Sequence, residues 1–441
     1  MKKKSFLILL FSLNLTIFGQ NYVSYFTGNS TDTLTQPYGG ICLMGGATDN
    51  DEAIKWLLKK ANGGDVLVLR TSGSNGYNNY MYSSLGVSVN SVETIVFNNR
   101  TASYDNYIQQ KINQAEAIWI AGGNQWNYVS YWRNSPVDSL INKAIKTRNI
   151  AIGGTSAGMA ILGGLYFTAQ NGTVTSSSAL SNPFNSKVTV DSASFISNKY
   201  LSHIITDTHY DDPDRKGRHV VFLSRILIDY GIKAKGIACD EYTAVCLDTN
   251  GIAVVYGNHP TYDDNAYFIQ TNCELSSITP ENCTSGNPLN WNLGNKAIKV
   301  YSVKGTVAGT NYLDLKDWQT GFGGTWENWF VNNGILIQQS GNQPNCNGVS
   351  VSEIRKHNST EIYPNPSSGE ITINFKKTKS IPKSLKILNS LGQTKRIINE
   401  ISTNELKLRI DKLPTGIYFI EFTFYDNSKQ IKKLIISSNT F

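Results

Sequence analysis

The chain has 441 residues, 40% of them hydrophobic and 17% charged, with a formal net charge of +7. That length exceeds one compact domain, and the balance of residues is that of a folded protein rather than a disordered or fibrous one. The positive charge is modest and comes from lysines crowded into the C-terminal part, and no basic patch is interleaved with aromatics, which excludes a nucleic-acid interface.

Lys2, Lys3 and Lys4 precede an apolar run from Phe6 to Phe18, the form of a secretory signal peptide at residues 1–19. No later segment reaches about 18 apolar residues, so an exported chain with no transmembrane segment is expected. The six cysteines are too few for a disulfide framework. Cys42, Cys239 and Cys246 sit in apolar runs and read as core residues, and no spacing resembles a metal site. Cys273 and Cys283 bracket a polar loop and are expected to pair in an oxidising compartment.

From Gly39 the chain alternates buried strands with helices. Gly40–Gly46, Asp65–Arg70, Thr94–Phe97, Ala117–Ala121 and Ile150–Ile152 read as near-continuous apolar strands. Asp49–Ala61, Tyr104–Gln114 and Pro136–Arg148 have helical period. This predicts an α/β fold with a mostly parallel sheet covered by helices on both faces. Ligands then bind beyond the carboxyl ends of the strands. After about Gly257 the pattern weakens, with strands expected only over Ala297–Val303 and Tyr312–Leu315. Residues 338–359 are rich in Asn, Gly, Ser and Gln and read as a linker. Beyond them, residues 360–441 alternate apolar and polar positions between turns, as in a small all-β sandwich.

The stretch Gly154-Thr155-Ser156-Ala157-Gly158 follows a short apolar strand and precedes small residues suited to a helix. That is the G-x-S-x-G pattern in its strand–turn–helix context, with Ser156 at the tip as a nucleophile. The plainer alternative is a small-residue turn burying a hydroxyl. Of five histidines, His357 lies in the linker, His259 in a loop, His203 in a strand and His219 inside a helix. His209 ends a strand, Ile204 to His209, and is the best base. No acid lies between Ser156 and Asp191, so the orienting carboxylate is sought later, at Asp240 or Glu241 after the strand Gly236–Cys239. A solvated turn is the competing account of those two acids. Asp211-Asp212-Pro213-Asp214 reads as an N-cap followed by Pro in the first helical turn. Arg215 and Arg218 then share one face near that helix start, against the helix dipole, as a forked donor for a carboxylate would.

These residues carry a family resemblance. Gly-Gly-Ala-Thr-Asp from Gly45, Ala121-Gly122-Gly123-Asn124-Gln125, Gly153 to Gly158, Asp207-Thr208-His209 with Arg215 and Arg218, and Asp240-Glu241-Tyr242-Thr243-Ala244 resemble, in order, the motifs of cyanophycinases and aspartyl dipeptidases. The resemblance spans roughly residues 38 to 320. It implies a serine peptidase on a flavodoxin-like fold related to class I glutamine amidotransferases, with no cofactor and no metal. By position it implies Ser156 as nucleophile, His209 as base and Glu241 as third member, with the Gly123 and Ala157 N–H groups as oxyanion hole. Gln125, Asp207, Arg215 and Arg218 match the substrate pocket. Thr208 stands where cyanophycinases carry Gln, and Pro213 where they carry Arg, which favours short aspartyl or β-aspartyl peptides over the cyanophycin polymer. A second resemblance covers about residues 360 to 441. Ile362-Tyr363-Pro364-Asn365-Pro366, Leu391-Gly392-Gln393 and Leu413-Pro414-Thr415-Gly416-Ile417-Tyr418 are similar to the sorting domain of type IX secretion. It implies the secretion machinery as a partner, and secretion or surface display as the destination.

The expected organisation is therefore a signal peptide at 1–19, a peptidase domain at 20–337, a linker at 338–359 and a sorting domain at 360–441. A peptide is the expected substrate and a homodimer one form of assembly. The competing functions are a catalytically silent binding protein on the same fold, and an esterase or amidase using the same serine.

Overall fold

The computed structural model describes residues 20–192, 196–346, 360–375, 381–390, 392–425 and 429–437. They fall into two units, Met1–Cys346 and Asn347–Phe441. The expected leader, His357, Leu391 and residues 347–359 of the expected linker lie outside the described residues.

In chain order the first unit begins with strands Tyr22–Gly28 (β1) and Gly40–Met44 (β2), helix Asp51–Lys60 (α1), strand Asp65–Arg70 (β3), the short helix Gly76–Asn79 (α2) and strand Ser91–Phe97 (β4). Helix Asn106–Gln114 (α3), strand Ala117–Ile120 (β5), helices Gln125–Trp132 (α4) and Pro136–Lys143 (α5), strand Ala151–Thr155 (β6) and the one-turn helix Ala157–Ala160 (α6) follow. Strands β4, β3, β5, β6 and β2 lie side by side in that order, all parallel. Their apolar runs are buried on both sides because successive side chains point to opposite faces. Ile41, Leu43, Leu67, Leu69, Ile118 and Ile120 pack on α3, α4 and α5. Cys42, Met44, Val66, Val68 and Trp119 pack on α1. Local chemistry agrees with this placement: the Asn50 side chain caps α1 by accepting from Ala53 N, with Asp51 and Glu52 in the first turn and Lys59 and Lys60 in the last.

The mostly parallel sheet expected from the sequence is this core, and antiparallel strands extend it at both edges. On one side β1 pairs with β4. On the other, Ala244–Asp248 (β11), Ile252–His259 (β12), Asn311–Asp314 (β15) and Gly321–Phe322 (β16) continue from β2. A small hairpin, Tyr166–Phe167 (β7) with Val190–Asp191 (β8), and helix Ser176–Ser181 (α7) precede strand Ile204–Asp207 (β9). Helix Lys216–Tyr230 (α8) leads from β9 to Lys235–Cys239 (β10). Strands β9 and β10 are parallel and begin a second, six-stranded sheet that continues antiparallel through Asn265–Thr271 (β13), Ile298–Lys304 (β14), Gly324–Asn332 (β17) and Ile335–Ser340 (β18). Val220, Phe222, Trp291, Trp329 and Val331 form its core.

Two expectations change here. Residues 338–340, whose composition reads as linker, pair with β17 as the end of β18. Cys273 is bonded to Cys346 and not to Cys283. Cys283 is buried, its Sγ 3.7 Å from Ser224 Oγ, in the apolar layer under α8. The 273–346 bond closes a loop of sequence separation 73, worth about 4 kcal/mol in the chain-entropy model, where a local 273–283 link is worth less.

The second unit has strands Glu361–Tyr363 (β19), Glu370–Asn374 (β20), Ser384–Asn389 (β21), Thr394–Asn399 (β22), Glu405–Arg409 (β23), Gly416–Thr423 (β24) and Lys429–Ile436 (β25). They form antiparallel sheets β19-β20-β23 and β22-β21-β24-β25. The alternating residues Ile371, Ile373, Leu385, Ile387, Ile420 and Phe422 bury one common core.

Candidate active site

The end of β2 touches the loops of all three residues expected to form a triad. Ser156 N donates to Met44 O at 3.0 Å, His209 N to Gly45 O at 2.9 Å and Tyr242 N to Gly46 O at 3.2 Å. Gly45 N returns a bond to Thr243 O at 2.9 Å. Three consecutive carbonyls thus hold the serine turn, the histidine loop and the acid turn. The glycines are required by the crowding this creates. A Cβ on Gly45 would stand 2.0 Å from Asp240 O, and one on Gly46, at φ +124°, 2.4 Å from His209 Nε2.

Ser156 has φ 51° and ψ −118°, a backbone that ordinary residues avoid. It stands between β6 and α6, so the side chain is lifted off the strand end. The turn closes because Gly158 has no side chain: a Cβ there would meet Ile120 O at 2.0 Å. Ser156 Oγ lies 2.8 Å from His209 Nε2, and His209 Nδ1 lies 2.5 Å from Glu241 Oε1. A carboxylate accepts only, so the proton on this ring belongs on Nδ1, which leaves Nε2 free to accept from the serine hydroxyl. Asp240, the other candidate acid, turns away. Its Oδ2 accepts from Asn265 N at 3.2 Å and Nδ2 at 3.0 Å, and burial pushes its carboxyl up to about 7.

Ala157 opens α6, so its N–H has no partner within the helix. Across from it the Gly122–Gly123 turn approaches closely enough that a Cβ on Gly122 would be 3.5 Å from Ser156 Cβ. Tyr128 OH secures that turn by donating to Ala121 O at 2.7 Å and Gly122 O at 3.3 Å. Gln125 Nε2 donates to Phe167 O. Asp207 and Arg218 are directed at each other rather than outward. Arg218 Nε and Nη2 donate to Asp207 Oδ2 and Oδ1 at 2.9 and 2.5 Å, and Nη1 donates to Thr173 Oγ1 at 3.0 Å. Burial alone would push the Asp207 carboxyl up, but the charge and hydrogen bonds of Arg218 outweigh it and hold it below the usual range. Arg215 is half-buried and keeps more of its donors: Nη1 donates to Thr208 O at 3.0 Å, while Nε is buried without a partner. Among these residues Arg215 is the cation with binding capacity to spare.

The N-cap position of α8 does not fall in the Asp211–Asp214 stretch, although Asp214 Oδ1 accepts from Lys216 N at 3.2 Å. That helix starts at Lys216 with Arg215 at the cap position, because Arg215 N closes back on Tyr210 O at 3.1 Å and delays the first helical turn. His203 lies in an exposed turn before β9 rather than within a strand, and His259 is the last residue of β12. The sequence placed Gly46 at a strand end and read Asp211 as part of a helix cap, and it did not indicate their contacts with the His209 ring and the Glu241 N–H.

Residues 71–253 match Peptidase family S51, and residues 361–437 match the Secretion system C-terminal sorting domain. That first stretch of the chain is similar to peptidase family S51. The S51 match takes in Ser156, His209 and Glu241 and stops inside β12, and the second match takes in all of β20 to β25. No curated protein matches the chain. Among solved structures, a peptidase from an acI-B1 Actinobacterium is 15% identical, covering 53% of this chain and 91% of its own, with a TM-score of 0.39. A putative peptidase E protein from Listeria monocytogenes EGD-e is also 15% identical, covering 50% and 99%, with a TM-score of 0.34. The similarity to S51 rests on the family match, since both TM-scores are below 0.5.

One buried group behind the site generates a pH prediction. His219 of α8 is fully buried, with neither ring nitrogen hydrogen-bonded to another side chain, and burial lowers it to about 4 from 6.5 even with Asp207 nearby. A base that is harder to protonate when folded contributes stability above pH 6.5 that is lost as pH falls toward 4, by about 3 kcal/mol. Asp240 and Glu116, both raised to about 7, pull the other way over the same interval, so the comparison must be with a variant. Denaturant unfolding should show His219→Gln losing less stability than wild type between pH 7 and pH 4.5. Parallel stability–pH curves would contradict the assignment.

Proposed function

We propose that the chain is a secreted serine peptidase in which Ser156, His209 and Glu241 act as a catalytic triad. The observation that carries this reading is the continuous hydrogen-bonded line from Ser156 Oγ to His209 Nε2 at 2.8 Å and from His209 Nδ1 to Glu241 Oε1 at 2.5 Å. Ser156 Oγ attacks the substrate carbonyl as His209 Nε2 takes its proton, forming a tetrahedral oxyanion. Glu241 stabilises the imidazolium and fixes the ring orientation. The Gly123 and Ala157 N–H groups receive the oxyanion, held rigidly by the Tyr128 hydroxyl on one side and by α6 on the other. His209 then returns the proton to the leaving amine, the C–N bond breaks, and water activated by the same histidine releases the acid and restores Ser156.

For substrate we favour short aspartyl or β-aspartyl peptides. Arg215, partly exposed and bonded through Nη1 to Thr208, takes the substrate carboxylate with its guanidinium, while Asp207 and Arg218 form the wall behind it and Gln125 orients the peptide from the β7 side. A charge-assisted contact of this kind contributes about 1.5–3 kcal/mol. The sorting domain supports delivery of the chain to the outside or the cell surface by type IX secretion, following export directed by residues 1–19. Fractionation should find a chain ending at residue 346 retained in the cell, and normal release of that chain would contradict the sorting role.

A fluorophosphonate probe followed by peptide mass spectrometry tests the catalytic reading without a known substrate. The adduct is expected on Ser156, absent in Ser156→Ala, slowed by about 10³-fold or more in His209→Ala and less in Glu241→Gln. On peptides, Arg215→Ala should lower kcat/KM roughly ten- to hundredfold for substrates with a free carboxylate and leave neutral ones unchanged. An unlabelled Ser156 in the folded wild type would favour a silent binding protein instead.

A further inference from the structure

The turn that carries Glu241 is held almost entirely by main-chain acceptors. Asp240 N donates to Asn265 O at 2.9 Å, Tyr242 N to Gly46 O at 3.2 Å and Thr243 N to Asp240 O at 3.4 Å. The remaining N–H of the turn, that of Glu241 itself, donates to a side chain, Asp211 Oδ1, at 2.9 Å. Asp211 stands two residues after His209. One hydrogen bond therefore joins the loop bearing the base to the turn bearing the acid, at the residue whose carboxylate meets the imidazole. Asp211 is solvent-exposed and Tyr242, next to Glu241, has φ 62°. The turn is anchored at its ends by the buried Asp240 and Thr243, while Glu241 is only partly buried and is followed by the exposed, strained Tyr242, so the bond to Asp211 is what fixes the Glu241 main chain between them.

We infer that Asp211 is a positioning residue for the triad: its carboxylate fixes the Glu241 main chain so that Oε1 reaches His209 Nδ1. The inference rests on the Ser156–His209–Glu241 reading above. What matters is the acceptor at 211. Its charge is a separate effect, because the surroundings are crowded with ions. Asp240 feels Asp211 directly, Lys216 offsets that on Asp240, and Arg215 interacts with Glu241. Acceptor and charge separate by substitution. Asp211→Asn keeps an acceptor oxygen at the same reach and drops the charge. Asp211→Glu keeps the charge and moves the acceptor by one methylene. Asp211→Ala removes both.

The experiment uses the full chain and measures the second-order rate of fluorophosphonate attachment to Ser156 from acid to neutral pH, with thermal unfolding alongside. Asp211→Ala should react roughly ten- to hundredfold more slowly, the cost of a misplaced catalytic group, with an unchanged Tm. Asp211→Asn should recover most of the rate, and Asp211→Glu should resemble Asp211→Ala. A wild-type rate in Asp211→Ala would overturn the inference. So would an Asp211→Asn as slow as Asp211→Ala, which would assign the effect to charge. If wild type is not labelled at all, the triad reading itself fails, which is a different outcome from a labelled wild type with an indifferent Asp211.

Discussion

Three adjacent carbonyl oxygens at the end of one strand, those of Met44, Gly45 and Gly46, fix the relative positions of the serine turn, the histidine loop and the acid turn. Everything else at the site depends on that ladder. Ser156, His209 and Tyr242 each adopt a positive φ, at 51°, 46° and 62°. Each such backbone costs about 1–3 kcal/mol and survives only where its surroundings leave no alternative. Here the alternative is removed by a hydrogen bond from each loop to a neighbouring rung. The strand can serve three loops at once because β2 sits between β6, which carries the serine, and β11, which follows the acid. Its buried flanks, Cys42 and Met44 against α1 and Ile41 and Leu43 against the opposite layer, make it a rigid reference.

The polar wall beside the ladder divides its labour. Asp207 and Arg218 saturate each other in the interior, a pair whose disruption costs about 3–5 kcal/mol because the surviving charge has no water. Such a pair shapes a site better than it binds a ligand. Arg215, three residues earlier on the approach to α8, is half-exposed and incompletely bonded, and Asp211, four residues earlier still, is spent on the acid turn. A short loop thus carries His209, Asp211 and Arg215 within seven residues.

Much of this was legible in the sequence. The parallel core was readable because strands buried on both faces are continuous apolar runs, as in Val66–Leu69 and Ala117–Ile120. Ser156 was readable from small residues that a sharp strand-to-helix turn needs, and His209 from its place at a strand end. Of the second sheet, β9, β10 and β14 were readable as strands, but β13, β17 and β18 were not. Those three lie among Asn- and Gly-rich segments, and the buried anchors Trp291 and Trp329 look isolated in the sequence. The disulfide was misread because proximity in the chain stood in for proximity in space, and 73 residues separate the true partners. The choice between Asp240 and Glu241, and the destination of Arg218, depend on side-chain directions at the end of β10 and in α8 that no spacing encodes. Asp211 looked like a helix cap because Asp before Pro is the common cap signal, and only the late start of α8 frees it for another use.

The ladder is tested most directly at Gly46, where an added methyl would meet the His209 ring and not the hydrophobic core. The measurement is the rate of Ser156 phosphonylation in Gly46→Ala set beside its unfolding curve. The account predicts a rate reduced by roughly a hundredfold or more in a protein that still unfolds cooperatively, because the imidazole is displaced while the sheet is intact. A folded Gly46→Ala that reacts at the wild-type rate would contradict it.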